Sequence, residues 1–584
     1  MVEKKNDISS IGPSFLLMTA GVLFIYCLTG MTAARLSSFK CAVLFGVFVS
    51  FVAFYMVSRI NSVKAGLSGL LAGIPVGIVS YFALENAFNS VQRLTIECFG
   101  IMLRFFFFGC LTAIVLCCIS LYASKKFKTE DAVFAVLAAG FTLRTIMVLF
   151  TPMNFHQHDV SSFAPGFQGF HDDYIMYIYE NWALPDGDVR DLGQLYHPPL
   201  HYILSALFFK LNSVVFPDRA AAVDCLKTLP FIWSSGFVLF SLKIFRQFKI
   251  EGVALVMALV LVCLHPQTIF LSIQVNNDAL ALMLFVAAIY LALRWYENPD
   301  LTTILFTALA IGCAMMTKLS MGFVAFPVGF LFLAKLIETV RKKEKKGKVS
   351  TGGLIKQFVC FGALAFPLGL WYPVKNFLEH GTPFTYVFPI DSSSGQDVWM
   401  YSPWQRLFAP SMESLNKPFL VESSSKPGVD YNIFVALLKT SLFDERNFES
   451  DYLIKSGLCV YGAAIIVAFV IFMSALIITV RYIRKKKMTA GFMSLLILCV
   501  VMLGCYISFC FKYPVVCTES FRYIAPVLPA AGVFLGIYGR EFPKGVIWKS
   551  VFGWPLTFFV LAVFSFYGSY DQYRVAWEHF IRPH

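Results

Sequence analysis

Long apolar runs of about 20 residues alternate with short polar breaks along almost the whole chain. At 1.5 Å of helical rise per residue, runs of that length match the hydrocarbon thickness of a bilayer. They predict helices near 14–34, 41–58, 65–84, 99–122 and 131–151. Further helices are predicted near 228–245, 252–271, 277–295, 301–317, 320–338, 354–373, 455–480, 489–511, 523–539 and 546–568. In lipid every backbone polar group must be satisfied within the protein, and these runs are too long for barrel strands. The expected fold is therefore an all-α polytopic membrane bundle of about 15 transmembrane helices. The first run follows MVEKKNDISS with no convincing small-residue cleavage site and reads as an uncleaved span.

Two long polar interruptions stand out, at about 152–227 and 374–454. Basic clusters between the runs orient them. Lys4/Lys5, Arg59/Lys64, Lys125/Lys126/Lys128, Lys243/Arg246/Lys249, the clusters at 341–348 and 484–487, and Arg540/Lys544 all fall on one side, expected to be cytoplasmic. Arg35 and Lys40 fall on the other. This threading puts the N-terminus inside and both long loops outside. It requires the apolar stretch at 198–215 to lie on or dip into the outer surface, because a crossing there would invert every later basic cluster.

Composition agrees: 58% hydrophobic and 14% charged residues exclude a soluble globular chain. The net charge of +13 sits in the short topogenic clusters, and without a basic domain or motif no nucleic-acid partner is expected. The 15 cysteines form no CxxC pair and read as small core residues. There is no Gly-rich nucleotide loop and no evident inverted repeat. Arg104, near the outer end of its span, reads as a snorkelling residue.

Titratable groups concentrate at 154–200, with seven carboxylates, four histidines and a single arginine. Asp159 comes eight residues after a span, among Phe155, Phe163, Phe167 and Phe170. Partial desolvation there raises a carboxylate's basicity and suits it to accept a proton from a hydroxyl; a plain solvated loop Asp is the alternative. His156 and His158 offer, with Asp159, a weakly spaced set for a divalent metal, which is an open alternative to a site with no cofactor. His171-Asp172-Asp173 opens YIMYIYENW, an interfacial helix whose starting acids favour its N-terminal dipole. His197-Pro198-Pro199-Leu200 opens the surface helix, with proline suited to a first turn. Further on, Asp278 either caps its helix or binds substrate hydroxyls. His265-Pro266 kinks the preceding span toward the same mouth. FDERNF at 443–448 is a charged island placed to pack back on the first loop.

An acid in the first outer loop, an aromatic interfacial helix, and HPPL starting the next helix together resemble the GT-C membrane glycosyltransferases. The resemblance is to the dolichyl-phosphate-mannose–protein mannosyltransferase group and its aminoarabinose transferase relatives. NNDALALMLF at 276–285, TKLS at 317–320, WYPVKN at 371–376 and SFRYIAPVLP at 520–529 follow in the expected order. The resemblance spans roughly 130–584 and leaves 1–128 as an appended four-helix segment before a GT-C-like catalytic domain at 129–584. Two positions depart: His158 precedes a lone Asp159 where two acids are common, and Lys375 stands where arginine is commoner.

The resemblance implies transfer of a sugar to an acceptor hydroxyl, with Asp159 as base. Nucleotide sugars are confined to the cytosol, so an outward-facing site takes its donor from a polyprenyl phosphate, and cations must hold the leaving phosphate. Lys318, Lys375, Arg406 and Arg522 lie at outer span ends or in outer loops and are the candidates; Arg406 belongs alternatively to acceptor recognition. His158, His171, Asp172, Asp173, His197 and Asp278 are candidate substrate-binding groups. The expected partners are a polyprenyl-phosphate-linked sugar, a glycan, lipid or protein acceptor, and the bilayer. The alternative is a transporter or flippase of lipid-linked glycans, which predicts charged residues at midplane depth and paired broken helices.

Overall fold

The computed structural model describes residues 37–89, 96–153, 155–161, 163, 166–216, 218–341, 350–384, 386–388, 396–420, 429–542 and 553–574. Among them every regular element is helical; a lone antiparallel bridge joins Asp397 to Val515. The helices that place the site are α1 (Ser38–Ile60), α2 (Gly73–Asn89), α3 (Ile96–Ala123), α4 (Thr129–Phe150), α5 (His171–Asn181), α6 (Leu200–Val215), α7 (Thr228–Gln247), α8 (Gly252–Cys263) and α9 (Pro266–Phe270). They continue with α10 (Asp278–Glu297), α11 (Leu301–Thr317), α12 (Ala325–Arg341), α13 (Thr351–His380), α14 (Ile433–Phe443), α15 (Asp451–Arg484), α16 (Ala490–Lys512), α17 (Leu528–Glu541) and α18 (Trp554–Tyr567).

Ten of the described helical segments are long and apolar enough to cross a membrane, and the chain is an integral membrane protein. They coincide with ten of the predicted runs. The runs expected at 252–271, 301–317, 523–539 and 546–568 are shorter helices, α8, α11, α17 and α18, of 12, 17, 14 and 14 residues. The run at 14–34 lies outside the described residues. The stretch at 198–215 forms α6, 16 residues packed against α5.

Local sequence sets the helix ends. Asp300 accepts from the Thr303 amide at 2.8 Å and starts α11; Asn432 does the same for α14 from Val435 at 3.1 Å. At the start of α4, Asp131 accepts from the Lys128 amide at 2.7 Å and also holds Arg59 (2.8 Å) and Tyr55 (2.7 Å) of α1. One buried carboxylate thus caps a core helix and fastens the N-terminal segment to it. At the other end of α4 the buried Lys227 ammonium donates to the Val148 and Thr151 carbonyls at 2.8 and 2.7 Å, filling the acceptors a helix C-terminus leaves open.

The bundle contains one break that matters for the site. Pro266 has no N–H to continue α8, so the helix stops at Cys263 and restarts as α9. Arg144, fully buried in α4, supplies the missing donors: its Nη1 reaches Cys263 O at 2.9 Å and Gly140 O at 3.0 Å. Its Nη2 reaches Thr268 Oγ1 at 2.9 Å, and its Nε reaches Ser234 Oγ at 2.9 Å. Gly140 allows the close approach here, since a Cβ would run into Cys263 Sγ and stand 3.0 Å from the Cys263 carbonyl. Arg144→Met is expected to cost about 3 kcal/mol, because the charge-assisted bonds vanish and the broken helix end stays dry and unpaired. A lowered midpoint of thermal unfolding in detergent checks this.

Candidate functional site

The loop after α4 carries the predicted acid, and two glutamines hold it. Gln157 donates from Nε2 to the Ile273 carbonyl (2.8 Å) and accepts at Oε1 from the Val275 amide (2.9 Å). Gln274 answers, donating to the His156 carbonyl (2.9 Å) and accepting from the His158 amide (3.1 Å). This reciprocal stitch binds 156–158 to the segment between α9 and α10. His156, Asp159 and Phe163 all have left-handed backbones, with φ of 65°, 51° and 61°. The Asp159 carbonyl accepts from the His171 amide at 2.8 Å, tying the loop to the start of α5.

Asp159 is exposed at this turn. Its charge acts on Arg522, Tyr196, His171 and Glu445, so these groups share one electrostatic neighbourhood. Burial, and after it the Asp159 charge, keeps the Tyr196 phenol neutral. Asp278, the first residue of α10, forms an ion pair with Lys318 at the end of α11 and lies 3.8 Å from Arg522. Lys318 and Arg522 stand over the Tyr523 ring, 5.0 and 5.1 Å from its centre. Arg522 also meets Glu445 at 3.5 Å. Burial works against the Arg522 charge, but Tyr523, Glu445, Asp278 and Asp159 outweigh it and hold the guanidinium firmly protonated.

His158 points to the segment just past α14. Its Nε2 lies 2.7 Å from Asp444 and its Nδ1 3.7 Å from Glu445. Burial disfavours its charged form, yet the two carboxylates prevail and its pKa is raised. Asp444 is lowered against its own burial by His158, while burial raises Glu445. Arg446 donates to the His156 carbonyl at 2.9 Å, so the charged island at 443–448 does close on the first loop. His158, Asp444 and Glu445 offer three ligand atoms within 4.8 Å of one another. The same carboxylates already face Arg446 (4.0 Å) and Arg522, so a divalent cation there would need deprotonated His158 and would repel both guanidiniums.

This clamp has a pH signature. A histidine whose folded pKa is raised gives stabilisation that is complete below its unfolded value of about 6.5 and is lost as pH rises through the folded value. Limited proteolysis of the first loop is expected to accelerate above that range in the native protein. In His158→Gln the acceleration should disappear, leaving a pH-independent rate.

His171 and His197 line the same neighbourhood with ring centres 5.6 Å apart. Nδ1 of His171 shares a hydrogen bond with the Tyr202 hydroxyl at 2.7 Å, and burial lowers its pKa to about 4. Burial also lowers that of His197. Both rings are neutral hydrogen-bonding groups at neutral pH.

The structure therefore brings together Asp159, His158, His171, His197, Asp278, Lys318 and Arg522. It turns other candidates elsewhere. Asp172 is buried and accepts from the Ser161 amide (2.9 Å) and hydroxyl (2.6 Å) and the Phe163 amide (2.7 Å). Asp173 accepts from the Gln168 and Phe170 amides at 2.8 and 2.9 Å. Both carboxylates shape the loop from the first turn of α5. Arg406 is buried against Glu519 at 2.7 Å, and Lys375 lies along α13 beside Glu379 at 3.4 Å. Gln157, Gln274, Tyr196, Asp444 and Glu445 are site residues that sequence reasoning missed; Asp444 and Glu445, inside the charged island, carried a signal.

Fold and site define a polytopic membrane protein with a charged, aromatic-lined centre where its loops meet the bundle. Residues 196–362 match the family model described as dolichyl-phosphate-mannose-protein mannosyltransferase. That stretch runs from Tyr196 through His197, Asp278 and Lys318 into α13, and over it the resemblance read from the sequence to GT-C glycosyltransferases is borne out. The apo crystal structure of the Archaeoglobus fulgidus oligosaccharyltransferase superposes on 77% of this chain with a TM-score of 0.39 and 13% identity. The chain spans 56% of that protein's length. No curated protein matches the chain.

Proposed function

We propose that this protein is a membrane glycosyltransferase that moves a sugar from a polyprenyl-phosphate donor to an acceptor hydroxyl on the outer face of the membrane. The observation that carries this reading is the placing of an exposed loop carboxylate, Asp159, in the field of a paired cation centre, Lys318 and Arg522, held by Asp278. Asp159 takes the proton from the acceptor hydroxyl, whose oxygen forms a bond to the anomeric carbon. The bond from that carbon to the phosphate oxygen breaks through an oxocarbenium-like state, and the electrons leave with the phosphate. Lys318 and Arg522, both only slightly accessible, stabilise the departing anion. Attack opposite the leaving group inverts the anomeric centre. In this reading His171 and His197, as neutral rings, and the Tyr196 hydroxyl bind sugar hydroxyls.

The topogenic lysines and arginines support an outward site, and the composition suits a bacterial plasma membrane. The match of 196–362 to a mannosyltransferase family supports the reaction class. The flippase alternative predicts charge at midplane depth in several spans and paired broken helices; the charge at the α8 break, Arg144, has its donors engaged in holding that break together.

Proteoliposomes holding the purified protein test the reading. Radiolabel from a polyprenyl-phosphate sugar is expected to appear on an acceptor added to the outside. Label crossing the bilayer without transfer, or transfer from nucleotide sugars alone, would sink it.

A further inference from the structure

Among the described residues, the N-terminal helices meet the rest of the bundle along a seam that side chains do not fill. Between α3, the start of α15 and the end of α18 lies a cavity of about 570 Å³. Its walls are apolar, with Phe107 and Phe108 of α3 and Leu561 and Phe564 of α18. Its rim carries two opposite charges, Arg104 and Asp571. Among the described residues Arg104 is exposed and meets no carboxylate; its guanidinium lies 5.8 Å from the Tyr570 ring centre. Asp571 accepts from the Ser450 hydroxyl at 3.2 Å, and no ion pair joins it to Arg104.

The rim lies at the loop end of the bundle. Ser450 directly precedes α15, and Lys125 and Lys126 lie past the opposite end of α3. Arg104 is seven residues into the span Glu97–Ala123, or roughly 10 Å from its end. For a span that runs the full thickness of a bilayer, that depth is where headgroups give way to acyl chains.

A cation and an anion held apart above an apolar slot complement a zwitterion with a tail. A purely anionic headgroup satisfies Arg104 but is repelled by Asp571, whereas a phosphate followed by a primary ammonium satisfies both. We propose that this seam binds a zwitterionic aminophospholipid, with its phosphate on Arg104, its ammonium on Asp571 and one acyl chain between α3 and α18. The lipid would join the N-terminal helices to the core where the described side chains leave the joint open.

The test is lipid binding to the full chain in detergent, by native mass spectrometry after delipidation. Phosphatidylethanolamine and phosphatidylglycerol with identical chains are the probes. The wild type is expected to bind the ethanolamine lipid about tenfold more tightly. Arg104→Gln should weaken that binding about tenfold, and Asp571→Asn should abolish the preference so that both lipids bind alike. Equal or tighter binding of phosphatidylglycerol by the wild type overturns the proposal, as does an unchanged preference in Asp571→Asn. If Asp571→Asn does not fold, Arg104→Gln decides: unchanged affinity for the ethanolamine lipid in that variant is equally fatal.

Discussion

Asp159→Asn is expected to lower sugar transfer by about 10³-fold while the protein inserts and unfolds like the wild type. The amide keeps the size of the side chain but has no basicity to take the acceptor's proton. The fold should not notice, because the native contact of Asp159 is made by its backbone carbonyl to the His171 amide, and its carboxylate is exposed. Turnover should fall with little change in KM for the lipid-linked donor, since donor phosphate is held by other groups. A variant with near-native turnover would remove Asp159 from the mechanism, and an exposed loop acid would be all that remained.

Arg522→Gln is the second large effect, expected at about 10²- to 10³-fold in kcat. Arg522 touches both Asp278 and Glu445, so its loss leaves two carboxylates with fewer partners near an incoming phosphate. The donor is then repelled where it should be held, and the leaving group loses its stabilising charge. Arg522→Lys should recover part of the rate. The other cations separate cleanly from it. Lys375→Gln is expected to change turnover by less than about twofold, since Lys375 makes a half-exposed pair on its own helix. Arg406→Gln is expected to leave buried Glu519, whose carboxyl burial raises to about 8, and the Cys510 carbonyl without their donor, and to cost about 1 to 3 kcal/mol in folding. A rate loss in Lys375→Gln matching that of Arg522→Gln would overturn the assignment of the phosphate site.

Much of this was legible in the chain. Apolar runs long enough to span a bilayer announced the long helices because hydrocarbon tolerates little else, and Pro266 announced the break in α8. Asp159, Asp278, Lys318 and Arg522 could be read because charge at the end of an apolar run is costly and must be employed. What could not be read was pairing. Nothing in a lone glutamine tells that Gln157 and Gln274 trade four hydrogen bonds across more than a hundred residues. Nor does spacing distinguish Asp172, spent on loop amides and a serine, from Asp159, left open; both are acids beside aromatics. Arg406 and Arg522 looked alike as arginines in outer segments, and only tertiary packing buries one of them against Glu519.

The arginine brace at the α8 break carries a consequence for how this molecule can be altered. The residues that follow the break, Gln274 and Asp278, grip the acid-bearing loop and the two cations, so the pose of the working end is inherited from a joint deep in the bundle. Lesions at that joint should therefore surface as faulty chemistry before they surface as loss of the protein, and second-site suppressors of poor catalysis should map to α4 and α7 as readily as to the loops.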